Sequence, residues 1–291
     1  MSTDIKTRSE IGEILYHLTR DRLGLAGLII VSLIVFSAIL APWIVPYDPI
    51  AMNIPDRLQG PSLSHLLGTD QLGRDTFSRV IMGGRVALQV AIPTIAGAIS
   101  IGLFLGMIAG YGPKWLDTLI VLLFDTLRSF PTVMFALAVV ALVGPSLNTV
   151  ILVIMITSIP TYGRVVRTLT QSLRSSEFIT AEKSLGASTT RILGVHILPN
   201  VLGPLAVLAA MDIPTVVGLE AGLSFLGMGV KPPTPSWGSL LNDGYSLIRN
   251  TPWLIISGGI PLILTTLGFT FLGEALRDVV DPKLRGRGGV K

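Results

Sequence analysis

The chain has no cysteine among its 291 residues, and only 14% of them are charged. The missing cysteine excludes disulfides, thiolate metal sites and cysteine nucleophiles. The low charge excludes an ordinary soluble domain, in which about a quarter of the residues are charged. Half of the residues are hydrophobic, and the mean hydropathy is +0.68. This composition is typical of an all-α, polytopic helical membrane protein.

The sequence also has few residues that could do chemistry. It has three histidines, no H-E-x-x-H and no G-x-x-x-x-G-K-[ST], so neither a zinc protease site nor a P-loop is present. His65, Asp70 and Asp75 could suggest a metal site, but their mixed spacing among glycines is not typical of one. We therefore expect no catalytic residue, no metal site and no cofactor in this chain. A membrane-embedded enzyme is the least favoured class.

Long uncharged runs predict six membrane-spanning helices, since about 20 apolar residues are needed to cross a bilayer. The first is too long for the apolar core of a signal peptide, so we expect an uncleaved anchor. Before it, an apolar face in the polar leader (residues 1–22) predicts an interfacial helix. The third run is the least apolar, because it carries three charged residues. The predicted spans are Leu23–Val45, Val86–Gly110, Leu116–Val143, Thr149–Val166, Ile197–Leu223 and Thr251–Gly273.

The distribution of Lys and Arg predicts the orientation. With both ends on the cytoplasmic side, 15 of the 22 basic residues lie in cytoplasmic segments and 6 in outer ones. This bias follows the positive-inside rule. We therefore expect cytoplasmic termini and a cytoplasmic segment at residues 163–198. A net charge of +4 then reflects these segments rather than binding of nucleic acid.

Asp125, Arg128, Asp212 and Glu220 fall inside the predicted spans, where a charge at the bilayer centre costs at least about 2.5–3.5 kcal/mol. Asp125 and Arg128 are three residues apart, so they could pair on one helix face or act in translocation. Asp212 lies beside Pro214, where a broken helix could line a cavity or pack against another subunit. Glu220 has the same two alternatives.

Residues 175–200 carry helix-boundary signals between apolar runs. Ser176 is a predicted N-cap whose hydroxyl accepts an orphan backbone N–H. Glu177 in the first turn and Lys183 in the last suit the helix dipole. Gly186 is predicted to end the helix in the left-handed conformation, Ser188 to cap a second helix, and Pro199 to mark a kink or boundary. So short a helix is marginal alone and must dock on something.

This stretch resembles the EAA loop of ABC-importer permeases, the cytoplasmic segment that docks on the ATPases. The matching residues are Ala181, Gly186, Ala187, Ser188 and the run His196, Ile197, Leu198, Pro199, Asn200. Thr180 stands where the family often has Glu, and Glu182 where it often has Ala. The resemblance implies a docking role, with Glu182 and Lys183 as polar contacts. Phe178, Ala181 and Leu185 would form the face buried against the ATPase.

Three further segments resemble the C-type (DppC/OppC) branch of peptide and nickel permeases. They are H-x-L-G-T-D-x-x-G-R-D at residues 65–75, E-A-G-L-S-F-L-G-M-G with P-P-T-P-S-W-G at residues 220–238, and L-R-D-x-x-D-P-K-L-R at residues 276–285. In the first, we expect Arg74 and Asp75 to pair in a turn freed by Gly68 and Gly73. In the second, Trp237 is expected as an interfacial anchor, a role compatible with a nearby binding-protein contact.

The resemblance implies the type I ABC importer permease fold, in a multi-pass protein of a prokaryotic plasma (inner) membrane. Its segments would be a leader (1–22), a first span with an outer loop (23–85), a permease domain (86–276) and a cytoplasmic tail (277–291). The implied partners are a B-type permease, two ABC ATPases that hold ATP and magnesium, an extracytoplasmic substrate-binding protein and membrane lipid. The implied cargo is di- or oligopeptides, with nickel chelates, glutathione or oligosaccharides as alternatives. An ATPase-independent secondary transporter or channel would also fit the apolar spans.

Overall fold

The computed structural model describes residues 18–280, which are helical over most of their length. The predicted interfacial helix of the leader, apart from Leu18, and the tail beyond residue 280 lie outside this range. The α-helices are α1 (Arg22–Ile44), α2 (Thr76–Tyr111), α3 (Lys114–Arg128), α4 (Thr132–Val143), α5 (Leu147–Arg174), α6 (Glu177–Ser184), α7 (Thr189–Phe225), α8 (Trp237–Ser246) and α9 (Trp253–Val280).

Five of these helices are long and apolar enough to cross a membrane: α1, α2, α5, α7 and α9. A sixth span is formed by α3 and α4 together, which meet at 81° across residues 129–131. Arg174 at the end of α5 donates to the carbonyl of Tyr111 at the end of α2, so α5 returns to the side where α3 begins. The α3–α4 pair therefore crosses the bundle. Six spans were predicted correctly, but a continuous third helix was wrong.

Several helix ends differ from the prediction because polar residues extend the apolar runs as helix. The fourth span continues to Arg174, and the fifth begins at Thr189. Only residues 175–188 of the predicted docking loop therefore lie between the two long helices. The loop of residues 224–250, predicted to lie on the outer side, contains α8, whose N-cap Ser236 forms a capping box with Ser239.

The core of the bundle depends on close contact between α2 and α5, which run parallel. Gly102, Gly106 and Gly110 recur every four residues along α2 and face α5. A Cβ atom on Gly106 would lie 2.5 Å from the carbonyl oxygen of Gly163. Small residues at this spacing let two helix backbones approach in a membrane protein. The stripe brings α5 close to α2 and fixes its position.

An ionic cluster closes the opposite end of the bundle, where α2 begins. Asp70 is fully buried, and its carboxylate lies 2.6 Å from Arg74 Nε and 3.5 Å from Arg79 Nε. Asp243 on α8 lies 3.8 Å from both guanidinium groups. Burial raises the pKa of Asp243, and its hydrogen bond with Gln71 and the two arginines offset that rise only in part.

The cluster corrects two expectations about the outer segments. Arg74 pairs with Asp70 and not with Asp75, which caps α2 through Ser78 N and contacts His65 Nδ1 at 2.9 Å. Trp237 is not an interfacial anchor, because it is buried and donates from Nε1 to the carbonyl of Val80. Gly68 and Gly73 do adopt positive φ, as expected for a tight turn. This end is a rigid, internally paired cap.

Candidate functional site

The helix α6 is a short element held between α5 and α7 at the end of the bundle where α2 stops. Ser176 occupies the predicted N-cap position, but its hydroxyl donates to the carbonyl of Leu173 and does not accept from the helix. Ile179 is fully buried among core residues. This single apolar anchor attaches α6 to its own chain and leaves most of its surface free.

The C-terminal turn of α6 follows the prediction. Gly186 has a φ of 84°, in the left-handed region that favours glycine. The amides of Gly186 and Ala187 bond to the carbonyls of Lys183 and Glu182, both at 3.0 Å. Ser188 Oγ then accepts from Arg191 N at the start of α7. These local caps set the direction in which the chain leaves α6.

The apolar side chains predicted to meet an ATPase are exposed in this chain. Leu185 is 84% exposed and Phe178 46% exposed, and Ala181 is exposed as well. They protrude beside the buried Ile179 rather than packing into the core. Together, Phe178, Ala181 and Leu185 leave an apolar surface on α6 that no part of the described chain covers.

The polar residues of α6 also contact the helices beside it. Glu182 Oε1 lies 3.6 Å from Nε2 of His196, whose ring meets the ring of Phe178 edge-on at 6.3 Å. Lys183 Nζ lies 5.1 Å from the centre of the Tyr111 ring, at the end of α2. Cations over an aromatic face are attracted by its quadrupole. Both residues predicted to contact an ATPase therefore also connect α6 to neighbouring spans.

The start of α7 is irregular. Residues Ile192–Ile197 form a π-helical segment, after which Pro199 stands in the first turn of regular α-helix. Asn200 Nδ2 donates to the carbonyl of His196 at 2.6 Å and so braces this join. A π-helical turn is a recurrent point of local bending in a long helix. The predicted boundary at Pro199 is thus the end of a π-helical segment inside one span.

A cavity of about 560 Å³ opens between the α3–α4 break, α5 and α7. Its wall is unusually polar for a membrane protein. Besides Arg128 and Asp212, it carries six hydroxyls, from Ser129, Thr132, Thr157, Ser158, Thr161 and Thr215. Ser158 lies 11 residues along α5 from Leu147, or roughly 16 Å at 1.5 Å per residue. The cavity therefore sits near mid-depth of a hydrocarbon layer of about 30 Å.

The structure separates the charged residues predicted within the spans. Arg128 and Asp212 both line the cavity. Asp125 lies outside its wall and pairs with Arg164 Nη2 at 2.6 Å, so the predicted pairing of Asp125 with Arg128 is wrong. Because residues 125 and 164 are 39 positions apart, only the folded bundle brings them together.

Glu220 is 1% exposed and lies away from the cavity wall. Its carboxylate accepts from Ser224 Oγ at 2.6 Å and lies within reach of the Ser236 hydroxyl. These contacts connect α7 to the N-cap of α8, which makes Glu220 a buried polar joint of the fold. Within residues 18–280 no group of three or more His, Cys, Asp or Glu residues could hold a metal ion.

Sequence reasoning missed two residues that contact the cavity charges: Thr161, which lines the cavity, and Tyr162, which is fully buried behind it. Tyr162 Oη donates to Asp212 Oδ2 at 3.1 Å, and Thr161 Oγ1 accepts from Arg128 Nη1 at 3.4 Å. The signal was present as the polar run T-S-I-P-T-Y within an apolar span. Hydroxyls on one face of a membrane helix indicate a polar interior surface.

The chain matches two family models. One describes the binding-protein-dependent transport system inner membrane component and matches residues 102–286. The other describes the N-terminal transmembrane domain of oligopeptide transport permease C and matches residues 9–61. Together the two matches cover most of the chain, including α6 and all of the cavity wall.

Several characterised proteins resemble the chain over nearly its full length. The dipeptide transport system permease protein DppC of Alkalihalophilus pseudofirmus is 41% identical, over 92% of this chain and 88% of the relative. The di/tripeptide transport system permease protein DppC of Pseudomonas aeruginosa is 36% identical, over 95% and 93%. The glutathione transport system permease protein GsiD of Pectobacterium atrosepticum is 38% identical, over 97% and 94%.

A solved structure shares the fold at low sequence identity. A chain of the MetNI methionine ABC transporter in an inward-facing conformation superposes with a TM-score of 0.57 and 18% identity. The match covers 70% of this chain and 97% of that one. The helical arrangement described above is therefore the arrangement of an ABC transporter permease.

Proposed function

The chain belongs to the family of inner-membrane components of binding-protein-dependent transport systems, and we propose that it carries di- or oligopeptides as one permease of an ATP-driven importer. The observation that carries the proposal is the combination of a docking helix with a polar cavity in one bundle. The helix α6 exposes Phe178 and Leu185 at one end. The cavity lies at mid-depth, between the same helices that flank α6.

The partners in this proposal are a B-type permease, two ABC ATPases and an extracytoplasmic binding protein. The exposed face of α6 docks on one ATPase, with the apolar side chains of Phe178, Ala181 and Leu185 buried at the contact. Glu182 and Lys183 lie at its polar edge. ATP and magnesium are held by the ATPases, because this chain carries no P-loop.

The positive-inside count supports an orientation with α6 and both termini in the cytoplasm of a prokaryote. The ionic cap of Asp70, Arg74, Arg79 and Asp243 then faces the extracytoplasmic side. Its buried pairs make it a stiff platform, suited to contact with a binding protein.

The names of the relatives support a peptide as cargo, and two of them name dipeptides or di/tripeptides. Glutathione is a second candidate, favoured by the relative from Pectobacterium atrosepticum. Glutathione is itself a peptide derivative with a free ammonium group and carboxylates. Both candidates require a polar path through the bilayer, and the polar cavity wall supports this proposal.

The proposal is tested by isolating the chain from native membranes with its bound partners and measuring uptake of radiolabelled dialanine. Two variants each place a carboxylate on an exposed aliphatic position. Leu185→Glu changes the α6 face, and Ile248→Glu changes the loop at the opposite end, where Ile248 is 48% exposed. The wild type should bring down two P-loop ATPases and a second permease. Leu185→Glu should lose the ATPases, and Ile248→Glu should keep them.

Two results would contradict the proposal in different ways. If the wild type comes down alone and still transports, the chain works as an ATPase-independent transporter. If Leu185→Glu retains its ATPases as well as Ile248→Glu does, the docking surface lies elsewhere than on α6.

A further inference from the structure

Arg128 and Asp212 are the two charged residues of the cavity wall, and they have opposite signs. Among the described residues, neither has an oppositely charged group within 4.0 Å. Each instead contacts one hydroxyl: Arg128 contacts Thr161, and Asp212 contacts Tyr162. The two hydroxyls belong to consecutive residues of α5, and the two charges line the same cavity without pairing.

The contrast with the other charges of the spans is informative. Asp125 is paired with Arg164, and Asp117 makes a two-point contact with Arg167, whose Nη2 lies 2.7 Å from Oδ2. Ionisable groups within a membrane normally pair or mark the path of a substrate. Arg128 and Asp212 form no ion pair with each other, although both line one cavity. Each therefore keeps hydrogen-bonding capacity for a group that enters from outside the chain.

A peptide with free ends supplies both complementary groups. Its terminal carboxylate matches the guanidinium, which offers two parallel N–H donors. Its α-ammonium group matches the carboxylate of Asp212. An extended dipeptide spans roughly 7 Å, and the cavity of about 560 Å³ falls in the range of about 300–1,000 Å³ typical of small-molecule sites.

The α3–α4 break also favours placing the carboxylate end of the peptide near Arg128. Thr132, the first residue of α4, lines the cavity, and the first amides of a helix have no partner within it. The N-terminal half of a broken membrane helix favours anionic groups of a substrate. Arg128 stands at the other side of the break, in the last turn of α3. The carboxylate end of the peptide is thus favoured at the break, and the ammonium end at α7.

We propose that Arg128 and Asp212 form a two-ended site that holds the terminal carboxylate and the α-ammonium group of a peptide during its passage. This assignment rests on the proposed function of the chain as a peptide permease. Thr161 and Tyr162 are positioning residues, which orient the two charges through one hydrogen bond each. Two single contacts suit a transit site, because a substrate must leave as readily as it enters.

The test uses the complete complex in proteoliposomes, with binding protein saturated by radiolabelled dialanine. Uptake is measured per ATP hydrolysed for Arg128→Gln, Asp212→Asn and the charge-conserving Arg128→Lys and Asp212→Glu. Asp125→Asn is the matched control, since that carboxylate lies on the same broken span but outside the cavity wall. A second series replaces dialanine with dialanine amide, which lacks the terminal carboxylate.

The two neutral variants should lower dialanine uptake per ATP by about tenfold or more, as expected for loss of a charge-assisted hydrogen bond. Stimulation of ATP hydrolysis by the loaded binding protein should stay within about twofold. The charge-conserving variants should recover part of the uptake, and Asp125→Asn should match the wild type. The wild type should carry the amide less well than dialanine, and Arg128→Gln should no longer distinguish them.

Three results would overturn the assignment of the two-ended site, and a fourth would also overturn the proposed cargo. Equal uptake by wild type, Arg128→Gln and Asp212→Asn would remove both residues from the path. Equal losses for dialanine and its amide in Arg128→Gln would show that Arg128 does not bind the carboxylate. Loss of the second permease from either variant complex would assign the charges to the subunit interface. If the wild type itself takes up no peptide, the proposed cargo is wrong and the two-ended site falls with it.

Discussion

Replacement of Gly186 by alanine isolates one physical property of the docking segment. Gly186 has a φ of 84°, and an added Cβ atom would meet nothing within 4 Å. The substitution therefore causes no clash and adds only the cost of a left-handed residue that carries a side chain. That cost is roughly 1–2 kcal/mol.

This strain would lower the docking affinity, because the turn after α6 can relax when no ATPase is bound. The helix has eight residues and one fully buried anchor, Ile179, and Leu185 beside the turn is 84% exposed. A turn so weakly held relaxes at little expense in the free chain. Docking then has to restore the left-handed turn, so up to the full strain is subtracted from the binding free energy. A difference of 1–2 kcal/mol corresponds to a factor of about 5–30 in the dissociation constant.

The assay is a titration of fluorescently labelled ATPase subunits onto the purified permease pair in nanodiscs. Gly194→Ala is the matched control, because Gly194 lies in the π-helical segment of the same region, has an open surrounding and does not need a positive φ. The dissociation constant of the Gly194→Ala permease for the ATPases should stay within about twofold of the wild-type value. Gly186→Asn should fall between the two, since asparagine tolerates the left-handed region better than alanine. Equal affinities for Gly186→Ala and Gly194→Ala would refute the reasoning.

Two further predictions concern stability, measured as the thermal unfolding midpoint in detergent. Gly106→Val would press a Cβ atom against the carbonyl of Gly163, and we expect a loss of at least about 1–3 kcal/mol; Gly259→Ala, which meets nothing closer than 3.9 Å, should change little. Asp70→Asn leaves two buried guanidinium groups short of a partner and should cost about 3–5 kcal/mol. Asp243→Asn should cost under about 1 kcal/mol at neutral pH. Burial raises the folded-state pKa of Asp243, so the fold favours the protonated, neutral carboxyl; that contribution to stability is complete below the unfolded pKa of about 3.9 and is lost as the pH rises through the folded pKa. Equal destabilisation by the two Asp variants would contradict the assignment of Asp70 as the centre of the cluster.

Features set by local chemistry could be predicted from the sequence. Long apolar runs predicted five of the helices, each with at least one end within about two residues of the structure. Gly186 and Ser188 fulfil their predicted capping roles, because a left-handed turn and an N-cap depend on neighbours within a few residues. The polar extensions of these helices beyond the apolar runs were underestimated. For example, α5 continues as helix to Arg174, because α2 packs against it.

Features set by tertiary contact could not be predicted. The partner of Asp125 is Arg164 on another helix, and charge spacing along one helix pointed instead to Arg128. The burial of Trp237 depends on Gly83 and Gly84, which leave room for its ring against α2. The bend of the third span did have a signal. Pro131 follows the charged end of α3, and a proline there ends a helix at the preceding residues.

The geometry connects the docking helix to the cavity through two continuous helices. The helix α6 is joined by short turns to the end of α5 and the start of α7. Thr161 lies 13 residues from Arg174, about 20 Å along α5, and Asp212 lies 23 residues from Thr189, about 35 Å along α7. These two helices differ in stiffness. The glycine stripe of α2 holds α5 closely, whereas α7 begins with a π-helical turn and contains Pro204 and Pro214.

A displacement of α6 would therefore move the two walls of the cavity by different amounts. Because α5 is packed along its length against α2, the Arg128 contact to Thr161 stays with the rigid part of the bundle. Because α7 has a π-helical turn and Pro204 between α6 and Asp212, that carboxylate would be the one to shift, and its hydrogen bond to Tyr162 of α5 would then have to lengthen or break. In this proposal, the distance between the two charges is the quantity that docking would change. A site that holds both ends of a peptide in one state and only one end in the other would release its cargo without any change in the residues that bind it.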